Sequence, residues 1–133
     1  MISYLDTSAA LKLLVDETES AALTGQLVAL PADHRLVASW LLHTELHCAA
    51  NRHPKEIQPV AVGVVLDVVT LVDLTRGDLL TAGTLPGGLR SHDAVHLAVA
   101  LRLGADEMIT YDDELAAAAT AAGLAVARPG AAG

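Results

Sequence analysis

The stretch ISYLDTSAA at residues 2–10 decides the fold, because it joins an apolar strand to a helix at a single acidic residue. Residues 2–5 predict a strand that ends at Asp6, and residues 8–15 predict the helix that follows. Asp commonly caps the N-terminus of a helix, so capping is the simplest role for Asp6. A strand that runs directly into a helix favours an α/β protein.

The same alternation of short apolar runs and helical segments continues along the chain. Further strands are predicted at 36–39, 69–73, 107–110 and 124–127, and further helices at 18–30, 40–52, 55–67, 76–84, 91–103 and 112–122. This order predicts an α/β fold in which a parallel β-sheet is flanked by helices on both faces. No internal repeat or linker is visible, so we expect one domain over 1–128 and a tail at 129–133.

Composition and charge narrow the functional classes. The 133 residues include 25 Ala, no Phe, one Trp and two Tyr, so small aliphatic side chains must fill the core. The net charge of −8 argues against a broad basic surface for duplex nucleic acid, and three aromatic residues argue against a base-stacking platform. Neither point excludes a nucleic-acid substrate that is reached through a metal ion.

Cellular location is predicted from three simple features. The single cysteine, Cys48, cannot form an internal disulfide, which indicates a reducing compartment. The first residues carry no basic segment of the kind that opens a secretory signal. No apolar run reaches the ~20 residues that a membrane span needs. We therefore expect a soluble cytoplasmic domain with no membrane contact.

Two acids lie where strands of the predicted sheet end. Asp6 follows the strand at 2–5, and Asp112 follows the strand at 107–110. In an open parallel sheet the ligand crevice lies outside the carboxyl ends of the strands. Each acid also opens a helix, so a capping role is the alternative for both.

Glu45 lies on an apolar face of its predicted helix. Its neighbours one turn away are Leu41, Leu42, Cys48 and Ala49. A carboxylate at such a position is costly unless it is paired or metal-bound. The alternative to a metal is a salt bridge with an arginine from elsewhere in the chain.

Asp93 completes a set of four acids. It lies in the first turn of the helix at 91–103, where an acid also suits the helix dipole, and the apolar Leu97 and Ala100 extend its face. If Asp6, Glu45, Asp93 and Asp112 converge, they form an all-oxygen site that needs a cation. Hard oxygen ligands select Mg²⁺, with Mn²⁺ as the alternative, and such an ion can activate water and offset phosphoryl charge.

Four short motifs carry a resemblance to a known family. They are YLDTSA at 4–9, TEL at 44–46, RSHDAVHLA at 90–98 and TYD at 110–112. In this order and spacing, across about 1–128, they make the sequence similar to PIN-domain ribonucleases, and within these to the VapC-type toxins of toxin–antitoxin modules.

The resemblance implies a PIN-like fold and a magnesium-dependent endoribonuclease whose products carry a 5′-phosphate and a 3′-hydroxyl. It implies that the catalytic and metal-binding acids are Asp6, Glu45, Asp93 and Asp112, with Asp6 and Asp93 as direct ligands. The implied supporting residues are Ser8 and Thr110, whose hydroxyls would orient carboxylates or bound water, and the adjacent acid Asp113.

The resemblance also implies partners. A homodimer is expected, together with a cognate antitoxin that places an Arg or Lys near the acidic site, and the charge of −8 suits a basic partner. Many relatives carry an arginine one helical turn after the glutamate. Here Cys48 occupies that place, so Arg52 and Arg90 are the candidates for RNA contact.

Other functional classes fit the sequence less well. His92 and His96 flank Asp93 in a pattern similar to a zinc-binding helix, but no third ligand is evident and His96 fits a core position. Cys48 is better explained as a small buried residue than as a nucleophile. A non-catalytic PIN-like metal-binding scaffold is the main alternative function, and cleavage of DNA is a lesser variant.

Overall fold

The computed structural model describes residues 1–131, and this range contains five strands and seven helices. The strands are β1 (Ile2–Leu5), β2 (Arg35–Ser39), β3 (Thr70–Val72), β4 (Glu107–Ile109) and β5 (Ala125–Ala127). The helices are α1 (Thr7–Lys12), α2 (Ser20–Val28), α3 (Leu41–Arg52), α4 (Pro59–Asp67), α5 (Arg76–Ala82), α6 (Ser91–Arg102) and α7 (Asp113–Ala121). Each corresponds to a predicted element, with boundaries that differ by a few residues.

The largest boundary shift is at the start of α4, which was expected at residue 55 and begins at Pro59. A proline suits the first helical position, because the N–H that it lacks would have no partner there. It also holds the preceding residue, Gln58, in an extended conformation with φ −94° and ψ 142°. Two prolines, Pro54 and Pro59, therefore keep the intervening segment out of the helix.

The sheet is parallel throughout, in the order β3-β2-β1-β4-β5. The predicted parallel sheet with helices packed around it is confirmed as an α/β sandwich. The chain moves outward from β1 to β3 and then returns to place β4 on the other side of β1. The strand order reverses between β1 and β4, and ligands bind at the carboxyl ends of strands at such a point.

Small side chains fill much of the core, as the composition suggested. Ala9, Ala10, Ala38, Ala100 and Ala119 are fully buried. The larger buried side chains include Tyr4, Leu42, Leu46, Leu97 and Met108. Because many of these side chains are small, the helices can pack closely against the central sheet.

Two further expectations concern membrane-spanning helices and the C-terminal tail. Within residues 1–131, no helix combines the length and the apolar character needed to cross a membrane. Of the expected tail at 129–133, residues 132 and 133 lie outside the described range. Pro129 is described, and its carbonyl accepts a hydrogen bond of 2.7 Å from the hydroxyl of Tyr111.

Candidate active site

A cavity of about 550 Å³ lies where β1 and β4 end, between α1, α3 and α6. Three of the four acids line it directly, and Asp6 lies behind the lining residue Ser8. Both arginines proposed for RNA contact also line it. The residues around the cavity are Thr7, Ser8, Leu11, Thr44, Glu45, Cys48, Ala49, Arg52, Arg90, His92, Asp93 and Asp112.

Asp6 is buried and held on both carboxylate oxygens. Oδ1 accepts hydrogen bonds from the Ala9 backbone N–H at 3.0 Å and from the Ser8 hydroxyl at 2.8 Å. Oδ2 accepts a bond of 2.7 Å from the Thr110 hydroxyl. Asp6 therefore caps α1, as the simplest interpretation of the sequence held, and it also joins the ends of β1 and β4. Burial raises its pKa although these three donors act in the opposite direction.

Of the four predicted site acids, Asp93 has the fewest hydrogen-bond partners within residues 1–131. It is buried, with 7% of its surface exposed, yet its carboxylate accepts no hydrogen bond from residues 1–131. The nearest basic group is His92, whose Nε2 lies 3.5 Å from Oδ1. Burial raises the pKa of Asp93, and the negative charges of Asp112 and Asp6 raise it further, against the opposing effect of His92. The effect of His92 therefore offsets only part of the cost of ionising Asp93.

Asp112 has a local role as well as a place at the cavity. Its Oδ1 accepts a hydrogen bond of 2.8 Å from the Leu115 backbone N–H, so it caps α7. Its own N–H donates to the Thr110 hydroxyl at 3.1 Å. The capping role expected from the sequence and a position at the cavity therefore coexist in this residue.

Glu45 is paired, but with a histidine rather than the arginine that the sequence left open. Its Oε1 lies 2.6 Å from Nε2 of His96 and accepts a bond of 2.9 Å from the Thr7 hydroxyl. Burial opposes ionisation of Glu45, but the hydrogen bonds from His96 and Thr7 outweigh it and leave the pKa below its ordinary value. Glu45 is therefore a carboxylate at neutral pH.

Asp113 is the one expected supporting acid that the structure does not bring to the cavity. Its side chain is exposed, and Oδ1 forms an ion pair of 2.7 Å with Arg128. Ser8 and Thr110, by contrast, both donate hydrogen bonds to Asp6. Arg52 and Arg90 supply positive charge beside the acids.

The donor chemistry at the cavity suits a hard divalent cation. As arranged here, no group of three or more His, Cys, Asp or Glu side chains within residues 1–131 could hold a metal ion. Mg²⁺, however, is usually bound by one or two carboxylates and keeps several water molecules. The carboxylate of Asp93 accepts no hydrogen bond from residues 1–131 and has the charges of Asp112 and Asp6 nearby, so its chemistry suits such an ion.

The sequence analysis did not identify Tyr4, Thr7 or His96 as residues that contact the acidic site. Its prediction that Cys48 is buried was wrong. Cys48 is exposed and lines the cavity, although a buried position was expected. His96 is fully buried, as expected, but both ring nitrogens are engaged, Nδ1 by Tyr4 and Nε2 by Glu45. This pairing removes the zinc alternative. The position of His96 three residues after Asp93, on the same helical face, was the available signal.

Comparison with known proteins agrees with the fold and with the motifs. The sequence pattern of the PIN domain matches residues 3–121. Ribonuclease VapC46 of Mycobacterium tuberculosis is 38% identical over 132 residues, covering 95% of this chain and 96% of the relative. Ribonuclease VapC35 of the same species is 35% identical over 135 residues, covering 96% of each.

Solved structures show the same fold at lower sequence identity. VapC20 of M. tuberculosis, described as a sarcin–ricin loop cleaving toxin, superimposes with a TM-score of 0.74 at 18% identity, covering 96% of this chain and 99% of its own. VapBC-1 of nontypeable Haemophilus influenzae gives a TM-score of 0.72 at 22% identity, covering 96% and 97%.

A parallel sheet with an acidic cavity at its switch point, together with these matches, defines the class of protein. The chain belongs to the PIN-domain family, among the relatives named VapC ribonucleases. The resemblance carried by the four sequence motifs is thereby confirmed.

Proposed function

We propose that this protein is a Mg²⁺-dependent endoribonuclease toxin of a toxin–antitoxin system, and that the cavity between α1, α3 and α6 is its active site. The observation that carries the proposal is the carboxylate of Asp93, a buried residue at the cavity, which accepts no hydrogen bond from residues 1–131 and lies near the charges of Asp112 and Asp6. Relatives named ribonucleases, at 35–38% identity over nearly the whole chain, support the choice of RNA as substrate.

The metal would be held by Asp93 and Asp6, with Glu45 and Asp112 acting directly or through water. When bound, it would lower the pKa of a water molecule and offset charge on the phosphoryl group. Mn²⁺ has the same preference for oxygen ligands and is an alternative ion. Cleavage in this way leaves a 5′-phosphate and a 3′-hydroxyl.

Other side chains at the cavity would orient the acids and bind the RNA. Ser8 and Thr110 fix the Asp6 carboxylate in one orientation, because each donates a hydrogen bond to it. Arg52 and Arg90 line the same cavity and would bind phosphates of the RNA backbone. In this proposal the nuclease domain spans residues 1–128, and a cytoplasmic location would give it access to RNA.

We also propose two protein partners. The structural neighbours include a toxin–antitoxin complex from Klebsiella pneumoniae and VapBC-1, which supports a cognate antitoxin for this chain. The net charge of −8 and the acidic cavity suit a basic antitoxin segment. A homodimer would cover exposed apolar side chains, of which Val60, Val64 and Val68 follow at four-residue spacing along α4 and its C-terminal cap.

The test is cleavage of total cellular RNA by the purified protein with Mg²⁺, with Mn²⁺ or with EDTA. The variants Asp6→Asn and Asp93→Asn are assayed beside it, after circular dichroism has shown that each is folded. We expect discrete products that require the metal and both acids. If the folded wild type leaves RNA intact while still binding metal, the non-catalytic PIN-like scaffold replaces the nuclease as the better account.

A further inference from the structure

A buried chain of hydrogen bonds leads from the backbone of β2 to the carboxylate of Glu45. The Ser39 N–H donates to the Tyr4 hydroxyl at 3.0 Å, and this hydroxyl lies 2.6 Å from Nδ1 of His96. Nε2 of His96 lies 2.6 Å from Oε1 of Glu45. Ser39, Tyr4 and His96 are all fully buried. The chain thus crosses from β2 through β1 and α6 to α3.

The direction of each hydrogen bond follows from the partners. The Tyr4 hydroxyl has one hydrogen and already accepts from Ser39, so its proton goes to its other partner within residues 1–131, Nδ1 of His96. Burial holds the pKa of Tyr4 well above its ordinary value, which keeps this proton in place. With Nδ1 as an acceptor, the ring hydrogen of His96 is on Nε2 and is donated to Glu45.

As a result, the two carboxylate oxygens of Glu45 have different hydrogen-bond partners. Oε1 receives both donors, the His96 ring at 2.6 Å and the Thr7 hydroxyl at 2.9 Å. Oε2 accepts no hydrogen bond from residues 1–131, and Glu45 lines the cavity. A carboxylate held at one oxygen keeps the other in a fixed position for a ligand.

We propose that His96 is a positioning residue, which, held by Tyr4 and assisted by Thr7, fixes Glu45 so that Oε2 is available to a metal ion or its bound water in the cavity. This inference rests on the proposed function and extends it to three residues outside the acidic set. The pairing also explains how a carboxylate is tolerated beside the core, since a buried polar group needs a partner.

The test is the affinity for Mn²⁺, measured by titration calorimetry, with RNA cleavage as a second readout. His96→Leu removes the donor, and we expect the dissociation constant for Mn²⁺ to rise about 10–100-fold. His96→Gln retains an N–H donor near the position of Nε2 and is expected to recover most of the affinity. Tyr4→Phe deletes only the hydroxyl that orients the ring, and we expect an intermediate loss.

Val99→Ala is the matched control, because Val99 is fully buried on the same helix and forms no part of the chain of hydrogen bonds. We expect it to lower the melting temperature while leaving Mn²⁺ affinity unchanged. If His96→Leu does not fold, Tyr4→Phe and Thr7→Val answer the same question with smaller changes.

The outcomes separate this inference from the proposed function. If the wild type binds Mn²⁺ and cleaves RNA, but His96→Leu and Tyr4→Phe bind Mn²⁺ as tightly as Val99→Ala, the positioning role is overturned and the nuclease stands. If the folded wild type neither binds Mn²⁺ nor cleaves RNA, both proposals fall. Loss of affinity in His96→Leu with recovery in His96→Gln supports the positioning role.

Discussion

The hydroxyl of Thr110 donates a hydrogen bond of 2.7 Å to Oδ2 of Asp6, and this bond joins the ends of β4 and β1 at the place where the strand order of the sheet reverses. Thr110 is fully buried, and its Oγ1 also accepts the N–H of Asp112 at 3.1 Å. One side chain therefore orders two acids of the cavity.

Replacement of Thr110 by valine, which has nearly the same shape, removes both bonds. We expect Thr110→Val to lower the free energy of unfolding by about 1–3 kcal/mol, because buried groups lose their partners. RNA cleavage should fall about 10–100-fold, as it does when a residue that orients a ligand is lost. Thr120→Val is the control, since the Thr120 hydroxyl is exposed and, within residues 1–131, bonds only to a carbonyl of its own helix. Equal cleavage by the two variants would contradict the role of Thr110.

Asp93 provides a test of the metal that does not depend on catalysis. Without metal, its buried charge opposes folding, so Asp93→Asn in EDTA should raise the free energy of unfolding by about 0.5–2 kcal/mol. Mg²⁺ should raise the melting temperature of the wild type and leave that of Asp93→Asn unchanged, because only the wild type gains binding energy. Differential scanning calorimetry measures both. Asp33→Asn, at an exposed position, should respond to Mg²⁺ as the wild type does. A Mg²⁺ response retained in Asp93→Asn would count against this site.

The two arginines at the cavity predict a salt-dependent effect on RNA binding. In an inactive Asp93→Asn background, we expect Arg52→Gln or Arg90→Gln to weaken binding of single-stranded RNA. Each should reduce the slope of log K against log salt by about 0.7, the value for one phosphate contact on a single strand. Arg35→Gln is the matched control, because Arg35 is exposed and lines a different cavity. The same slope in all three variants would show that neither arginine contacts phosphate.

The ion pair between Asp78 and Arg102 should make the free energy of unfolding depend on pH. Its carboxylate accepts bonds of 2.7 and 3.0 Å from Nε and a terminal nitrogen of Arg102, and the guanidinium beside it holds the pKa of Asp78 below its ordinary value. A lowered pKa means that the stabilisation is present above the ordinary Asp pKa of about 3.9 and is lost as the pH falls through the lower, folded-state value.

Asp78→Asn should therefore be less stable than the wild type at pH 7, by about 1.5–3 kcal/mol, and the difference should shrink below about pH 4. Urea unfolding at a series of pH values measures this difference directly. A gap that stays constant down to pH 2.5 would indicate that the charge of Asp78 contributes little.

Much of this fold could be predicted because each element carries a local signal. The run ISYL before Asp6 and the helix ending before Gly104 are set by periodicity and by residues that start or stop helices. The order of the strands could not be predicted in the same way, because it depends on which strand pairs with β1 across a long separation in sequence. The placement of Asp6 and Asp112 at one edge of the sheet could be anticipated, because each follows a strand and the carboxyl ends of parallel strands lie at the same edge.

The pairing of Glu45 was not predictable from its own helix. The apolar neighbours at 41, 42, 48 and 49 indicated a costly carboxylate, but they did not indicate which residue would pair with it. His96 lies 51 residues away in sequence and is brought to Glu45 only when α3 and α6 both pack against β2. The prediction that Cys48 is buried failed for a related reason. On a helix that borders a cavity, a position beside buried residues can still be exposed to solvent.

The most direct test of the central claim, a metal-binding acidic site at the end of β1 and β4, is a crystal structure of the protein with Mn²⁺. Anomalous scattering identifies the ion without reference to activity. We predict a peak in the cavity about 2 Å from a carboxylate oxygen of Asp93, close to the distance at which Mg²⁺ binds oxygen. No peak in the cavity at saturating Mn²⁺, or a peak bound only by acids elsewhere, would contradict the assignment of this site.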